Sequence, residues 1–180
     1  MLGEGDFVLA GSCDRPLPKE GSQGDDLRKL GLGTNVLYWF GDDPALGTQA
    51  GVIPTGYDPG PLYKEWIRGV HAPGFLTFGP YVSFPGVGSF NVWFFIEIRN
   101  RGGAGEDVLT ADITDSDNAG AILATVTLKV GNFPAGIEGF QIFTQKDISL
   151  PSNHKIESRI FAHGGANIKL WGIRWEVYRL

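Results

Sequence analysis

The chain has 180 residues, of which 42% are hydrophobic and 19% are charged, a balance that suits one globular domain with its own core. With 15 Lys and Arg against 20 Asp and Glu, the net charge is −5, so a broad nucleic-acid interface lacks its electrostatic driver. The one cysteine, Cys13, excludes an intrachain disulfide, and no apolar run reaches the roughly 20 residues of a membrane span.

The first third of the chain is predicted to be irregular apart from short strands. Residues 7–10 and 35–40 are rich in β-forming side chains. Residues 41–61 contain nine glycines and prolines, which predicts a long loop, and a loop of this length in a domain is usually either functional or poorly ordered. Residues 61–69 begin with proline and end with glycine, which predicts a helical turn or two.

From residue 74 onward, strand segments and glycine-containing turns alternate at regular spacing. The predicted strands cover residues 75–78, 81–84, 90–99, 108–114, 121–130, 139–145, 155–163 and 167–179. This pattern favours an all-β fold, an antiparallel jelly-roll β-sandwich with an irregular N-terminal third and at most one short helix. We expect a single domain over residues 1–180, with 1–45 as an irregular extension.

Large aromatic residues occur on the strand faces that should be turned away from the core. Strand side chains alternate between faces, so the even-numbered residues of 90–98 form a core row. The opposite face of that strand carries aromatic and charged side chains together, and so does the outer face of strand 155–163. These outward residues are Asn91, Trp93, Phe95, Glu97, Arg99, Glu157, Arg159, Phe161 and His163, and those from Trp93 to Arg99 and from Arg159 to His163 are the predicted binding residues.

Three interpretations of these outward rings compete. An N-terminal segment can fold over them and make them core, since sheets tend to acquire a packing layer. The rings can instead form a platform for sugars, whose flat C–H faces stack on aromatics while charged and amide groups bind the hydroxyls. As a third interpretation, the patch is a subunit interface of a homo-oligomer.

Further tryptophans extend the set of candidate sugar-binding residues. In the last strand, the apolar alternation changes phase between Leu170 and Ile173, which predicts a bulge at residues 171–172 that turns Trp171 outward and keeps Trp175 in the core. Trp39 and Trp66 belong to a segment, residues 38–71, where aromatics and carboxylates are concentrated. The competing interpretation is that Tyr38 or Phe40 is a core residue by alternation and that Trp66 packs the predicted helical turn against a sheet.

Catalytic and metal-binding patterns are weak. No nucleophile elbow, zinc-protease motif, phosphate loop or dinucleotide fingerprint occurs, and the three histidines lack metal-ligand spacing. Asp112, Asp115 and Asp117 offer hard oxygen ligands of the kind that calcium takes. The competing interpretation is a simple hairpin turn, where aspartate is favoured for its own hydrogen bonding.

Several segments resemble a known family. Leu-Thr-Phe-Gly-Pro-Tyr-Val-Ser-Phe at 76–84, followed by Phe-Asn-Val-Trp-Phe at 90–94, resembles the galactose-binding-domain-like class of β-sandwiches, which includes many bacterial carbohydrate-binding modules. Residues 46–51 and 156–170 are also similar to that class. The resemblance implies a non-catalytic jelly-roll sandwich, located outside the cell or at its surface.

We therefore predict a protein that binds a poly- or oligosaccharide without transforming it. Trp93, Phe95 and Phe161 are the predicted stacking surfaces. The alternative is a structural or self-assembling surface, filament or virion protein that uses the same patch between subunits. Carbohydrate is the expected partner, and no cofactor is expected beyond the calcium alternative.

Overall fold

The fold, taken from a computed structural model, is built of antiparallel strands in two sheets. The structure describes residues 2–3, 7–11, 34–53, 63–83, 88–144, 148–150 and 152–179. Within these ranges the strands are β1 (Leu2–Gly3), β2 (Phe7–Gly11), β3 (Thr34–Phe40), β4 (Lys64–Trp66), β5 (Gly74–Thr77), β6 (Val82–Ser83), β7 (Gly88–Arg99), β8 (Asp107–Asp115), β9 (Ala121–Lys129), β10 (Gly139–Thr144), β11 (Ile148–Leu150), β12 (Lys155–Ala162) and β13 (Asn167–Arg179).

The strands are divided between a larger and a smaller sheet. The larger has the order β1-β2-β10-β7-β13-β3, with β11 paired to β7 and β4 paired to β13. The smaller has the order β5-β12-β8-β9, with β6 paired to β12. All of these pairs are antiparallel. The predicted antiparallel β-sandwich is confirmed, and in the described part of the chain the one short helix is a single 3₁₀ turn, Val130–Asn132.

The core lies between the two sheets and follows the alternation in the sequence. On β7, Phe90, Val92 and Phe94 are completely buried. On β12, Ile156 and Ile160 are buried in the same cluster. Because alternate side chains of a strand point to opposite faces, the odd-numbered residues of both strands are turned outward, one set on each side of the sandwich.

The predicted irregularity in the last strand is confirmed as a break in register. The pairing of β13 with β7 shifts between Leu170 and Gly172. Leu170 before the break and Ile173 after it are both fully buried, as is Trp175. The bulge therefore restores a single core face, and Trp171 is left half-buried on the outside.

The predicted helical turn at residues 61–69 is wrong. Residues 64–66 form β4, which pairs with β13 from Ile168 to Leu170. Lys64 and Trp66 are buried while Glu65 between them is not, so the side chains alternate as in a strand. Tertiary pairing with β13 outweighs the proline and glycine signals at the ends of the segment. Residues 54–62, which include the start of the predicted turn, lie outside the described ranges.

The described part of the predicted long loop, residues 41–53, runs along the edge of the smaller sheet. Gly47 forms a bridge with Phe78, and the backbone N–H of Gln49 donates to the carbonyl of Phe75 at 2.8 Å. The buried Lys64 of the larger sheet donates through Nζ to the carbonyls of Leu46 and Gly47. The loop is thus bonded to both sheets, which holds Gln49 beside β5. Among the described residues, no helix is long and apolar enough to cross a membrane.

Candidate functional site

The predicted aromatic platform is divided between the two outer faces of the sandwich. Trp93 and Phe95 lie on β7 of the larger sheet, whereas Phe161 lies on β12 of the smaller sheet. The core separates these faces, so the prediction that the three rings form one surface is wrong. Alternation within a strand identified outward residues correctly but did not show that the two strands belong to different sheets.

The Trp93 ring is packed against side chains from both neighbouring strands. Phe143 of β10 and Arg174 of β13 are its register partners on either side. The Phe143 ring lies 6.3 Å from it at an interplanar angle of 18°, and the Arg174 guanidinium lies 5.0 Å from its centroid. The half-buried indole therefore offers an edge rather than a flat face, which argues against sugar stacking at this position.

Phe95 and Glu97, predicted for the same surface, are covered. Phe95 is 5% exposed and lies 6.0 Å, ring to ring, from Tyr38 of β3, whose pKa is raised to about 12 by its burial. Glu97 is 6% exposed and is bonded to Arg99, whose Nε lies 2.6 Å from Oε1. Tyr38 reaches Phe95 from β3 of the same sheet, across Gly172 of β13, so Phe95 is covered by a neighbouring side chain and not by a segment folded over the face.

The other candidate tryptophans occupy different environments. Trp66 is 1% exposed, and its Nε1 donates to the carbonyl of Ala72 at 3.0 Å, so the prediction that it stacks on a ligand is wrong. Trp39 packs edge-on against Trp175 at 5.8 Å and belongs with the core. Trp171 lies on the outer face of the larger sheet, 4.7 Å from the Tyr63 ring.

On the smaller sheet, the predicted residues Arg159, Phe161 and His163 lie on one outer face. Phe161 contacts Phe75 of β5 edge to face at 5.2 Å and His163 at 5.0 Å. His163 Nε2 lies 2.8 Å from the hydroxyl of Thr110, which holds the ring against β8. Arg159 is held by Asp112 and lies over the Phe75 ring at 5.2 Å.

Two grooves open along the edge of this face. The first, which we call the Tyr81 groove, has a volume of about 420 Å³ and is lined by Thr48, Gln49, Phe75, Phe78, Tyr81, Glu157 and Arg159. The second, which we call the His71 groove, has a volume of about 640 Å³ and is lined by Gln49, Ala50, Gly51, Val70, His71, Ala72, Pro73, Gly74 and Phe161.

Tyr81 gives the first groove an accessible aromatic ring with a polar end. Its side chain is 56% exposed. Partial burial of the hydroxyl, together with its hydrogen bond to Glu157 and the charge of that carboxylate, raises the pKa of Tyr81. Hydrogen bonding to Asp112 likewise raises the pKa of Arg159. The groove thus combines aromatic surface with one negatively charged side chain, Glu157, and one positively charged side chain, Arg159.

Of the seven residues that line the Tyr81 groove, Arg159 was predicted as a site residue, and the other six, which were not, are Thr48, Gln49, Phe75, Phe78, Tyr81 and Glu157. Tyr81 lies in the Gly79-Pro80-Tyr81 segment that carries the family resemblance. That position is the signal by which the sequence could have indicated Tyr81. Gln49 had no such signal, because only the bonds of its loop to β5 bring it to the groove.

The three candidate calcium ligands have separate partners. Asp112 accepts from Arg159 at 2.7 and 2.8 Å. Asp115 lies 2.7 Å from His154 Nδ1, and Asp117 accepts from the backbone N–H of Lys155 at 2.8 Å. Within the described ranges, no group of three or more His, Cys, Asp or Glu side chains is arranged to hold a metal ion. Asp115 Oδ1 also accepts from the backbone N–H groups of Asp117 and Asn118, each at 3.2 Å, which is the hydrogen bonding expected of aspartate in a turn.

Comparison with solved structures finds β-sandwich modules. The chain is similar to the C-terminal CBM6 of LamC, a marine laminarinase from Zobellia galactanivorans, at 10% identity and a TM-score of 0.46, covering 78% of this chain and 98% of that one. It is also similar to a carbohydrate-binding module of Cellvibrio mixtus lichenase 5A in complex with cellotriose, at 15% identity and a TM-score of 0.41, covering 77% of this chain and 95% of that one.

A third similar structure is a CBM6 of Clostridium stercorarium in complex with cellobiose, at 13% identity and a TM-score of 0.36, covering 79% of this chain and 92% of that one. No family model and no curated protein matches the sequence. The comparison thus finds the kind of module that the sequence resembles. At these identities and TM-scores the likeness carries no argument about ligand, and the sandwich described above rests on its own strand pairing.

Proposed function

We propose that this chain binds carbohydrate in the Tyr81 groove and does not transform it. The observation that supports this proposal is the lining of that groove. Three aromatic rings lie there beside hydrogen-bonding side chains that include one carboxylate, Glu157, and one guanidinium, Arg159. Ligand sites are typically concave, with a mainly apolar lining and a few well-placed polar groups. The aromatic set is Phe75, Phe78 and Tyr81.

Sugar chemistry matches this combination. The C–H faces of a pyranose pack against aromatic rings, and its hydroxyls both donate and accept hydrogen bonds. Tyr81 supplies exposed ring surface, Glu157 supplies acceptors, and Gln49 supplies an amide that can do both. Arg159 presents its guanidinium with two of its donors already bonded to Asp112, so its position is set before any ligand arrives.

The same proposal states that the protein does not hydrolyse the carbohydrate it binds. Most glycoside hydrolases use a pair of carboxyl groups on either side of the scissile bond. Among the described residues that line the Tyr81 groove, Glu157 is the one carboxylate. The proposal also implies a location where polysaccharide occurs, outside the cell or at its surface.

Binding is tested by affinity electrophoresis against a panel of polysaccharides, followed by calorimetry with an oligosaccharide of the polymer that retards the protein. Tyr81→Ala is the test variant, because a side chain that is 56% exposed can be shortened with little effect on folding. We expect affinity to fall about 2- to 12-fold, the equivalent of one aromatic contact of about 0.5–1.5 kcal/mol.

Ile122→Ala is the matched control. Ile122 is 59% exposed and lies on β9, at the opposite edge of the same sheet from the groove. It should bind like the unmodified protein. Failure of every polysaccharide to bind, or equal binding by Tyr81→Ala and the unmodified protein, would overturn the proposal.

A further inference from the structure

The Tyr81 groove and the His71 groove share a wall. Gln49 lines both grooves. Phe75 lines the first and Phe161 the second, and these rings touch edge to face at 5.2 Å. Arg159 and Phe161, one from each groove, lie on the same face of β12 and are two residues apart, about 7 Å along the strand. That distance is comparable with the size of one sugar ring, so a linear ligand in one groove reaches the other directly.

His71 gives the second groove a polar group with a defined orientation. The backbone N–H of Ile67 donates to His71 Nδ1 at 2.9 Å. Because Nδ1 is an acceptor, the hydrogen of the neutral ring resides on Nε2. The ring also packs edge-on against the buried Trp66 at 6.2 Å, and the backbone N–H of His71 donates to the carbonyl of Ile67 at 3.0 Å. His71 therefore presents Nε2–H as a hydrogen-bond donor. The turn between Ile67 and His71 that holds the ring is formed before a ligand binds.

Apart from Gln49 and His71, the side chains that line the His71 groove are apolar. Val70 is 70% exposed at its rim, and Pro73 and Phe161 form part of its lining. A valine that is exposed to this extent has no role in the core. A donor beside apolar surface again suits a sugar, whose hydroxyl oxygens accept while its C–H face packs.

We infer that one oligosaccharide chain occupies both grooves, with the His71 groove binding the sugar units next to those in the Tyr81 groove through Nε2–H of His71 and the ring of Phe161. This inference rests on the proposed function. It specifies the ligand class as a linear oligosaccharide rather than a monosaccharide, and it makes His71 a binding residue for the longer chains.

The test compares a disaccharide with a hexasaccharide, both prepared from the polysaccharide that retards the protein most strongly. The variant is His71→Asn. The asparagine Oδ1 stands near the position of Nδ1 and can still accept from Ile67, whereas no donor remains at the position of Nε2. The turn is thereby retained and one ligand hydrogen bond is removed. Calorimetry should show that the variant binds the hexasaccharide with an affinity about 2- to 12-fold lower than the unmodified protein does, and the disaccharide with the same affinity.

Tyr81→Ala serves as the comparison, because it should weaken ligands of both lengths. Thermal unfolding of His71→Asn confirms that the fold is intact. If the unmodified protein binds both lengths equally and His71→Asn binds the hexasaccharide as the unmodified protein does, the two-groove inference is overturned while the Tyr81 groove stands. If no oligosaccharide of either length binds to the unmodified protein, the proposed function itself fails, and this inference with it.

Discussion

Arg159 and Asp112 face each other across β12 and β8 as a two-pronged ion pair, with Nε 2.7 Å from Oδ1 and Nη2 2.8 Å from Oδ2. Asp112 is 8% exposed, so its carboxylate is largely withdrawn from solvent. The geometry is that in which arginine and carboxylate bind most strongly. The pair fixes the guanidinium at the wall of the Tyr81 groove and over the Phe75 ring.

Asp112→Asn should weaken carbohydrate binding without direct contact between residue 112 and the ligand. The amide keeps the size of the side chain but loses the charge that orients Arg159, so the guanidinium becomes mobile. We expect affinity to fall about 3- to 10-fold, corresponding to part of a charged hydrogen bond. Asp107→Asn is the control, since Asp107 lies on the same strand and is exposed. Equal affinity for Asp112→Asn and the unmodified protein would show that Arg159 needs no such support.

Trp93→Ala should leave carbohydrate binding unchanged and lower stability. The substitution removes contacts with Phe143 and Arg174 on the larger sheet, far from both grooves. A loss of about 1–3 kcal/mol in the free energy of unfolding is expected for a half-buried ring. Calorimetry and urea unfolding provide the two readouts. Sedimentation of the same variant tests the alternative of a homo-oligomer, because a change in its oligomeric state would favour a subunit interface at Trp93.

The stability of the protein should rise with pH where Lys64 titrates. Burial lowers the pKa of Lys64 from its usual 10.5 to about 8, with Asp43 and Asp42 opposing that shift. Between these two values the unfolded chain binds more protons than the folded one, so the free energy of unfolding increases as pH rises. Above pH 10, the raised pKa of Tyr38 has the opposite effect, since the unfolded chain then loses its tyrosine proton first.

Urea unfolding from pH 7.5 to 9.5 measures this effect. The unmodified protein should show the rise and Lys64→Met should lack it, whatever the absolute stability of the variant. Parallel pH profiles for the two proteins would contradict the assignment of the titration to Lys64.

Gly172→Ala should destabilise the larger sheet. A Cβ at this position would lie 2.4 Å from the Tyr38 hydroxyl and 2.7 Å from the carbonyl of Trp39. The carbonyl belongs to the backbone of β3, so β3 must move away from β13. We expect a loss of about 1–3 kcal/mol in the free energy of unfolding, typical of overpacking. Gly105→Ala, where a Cβ meets no atom within 4 Å, is the control. Equal thermal midpoints for the two variants would contradict the close approach.

The sequence predicted the sandwich well because its signals were local. Alternation in residues 90–99 and 167–179 identified the core face of β7 and β13, including the bulge before Gly172. The segment at 64–66 was mistaken for a helical turn because its three strand residues are too few to show a period. Only the pairing with β13 makes them a strand.

The candidate site was predicted in part. Phe161 and Arg159 do line the two grooves. Trp93 was grouped with them because both strands have outward aromatics, and alternation carries no information on which sheet a strand joins. Gln49 was beyond prediction as a site residue, since long-range bonds of its loop to Phe75 place it, whereas His71 belongs to the segment 38–71 that the sequence marked without assigning His71 a role.

Mapping a bound oligosaccharide by NMR tests the central claim most directly. Contacts between the sugar protons and the ring protons of Phe78 and Tyr81 are the predicted result, with the signals of Trp93 and Phe143 unchanged. Contacts to Trp93 or Phe143, on the outer face of the other sheet, would contradict it.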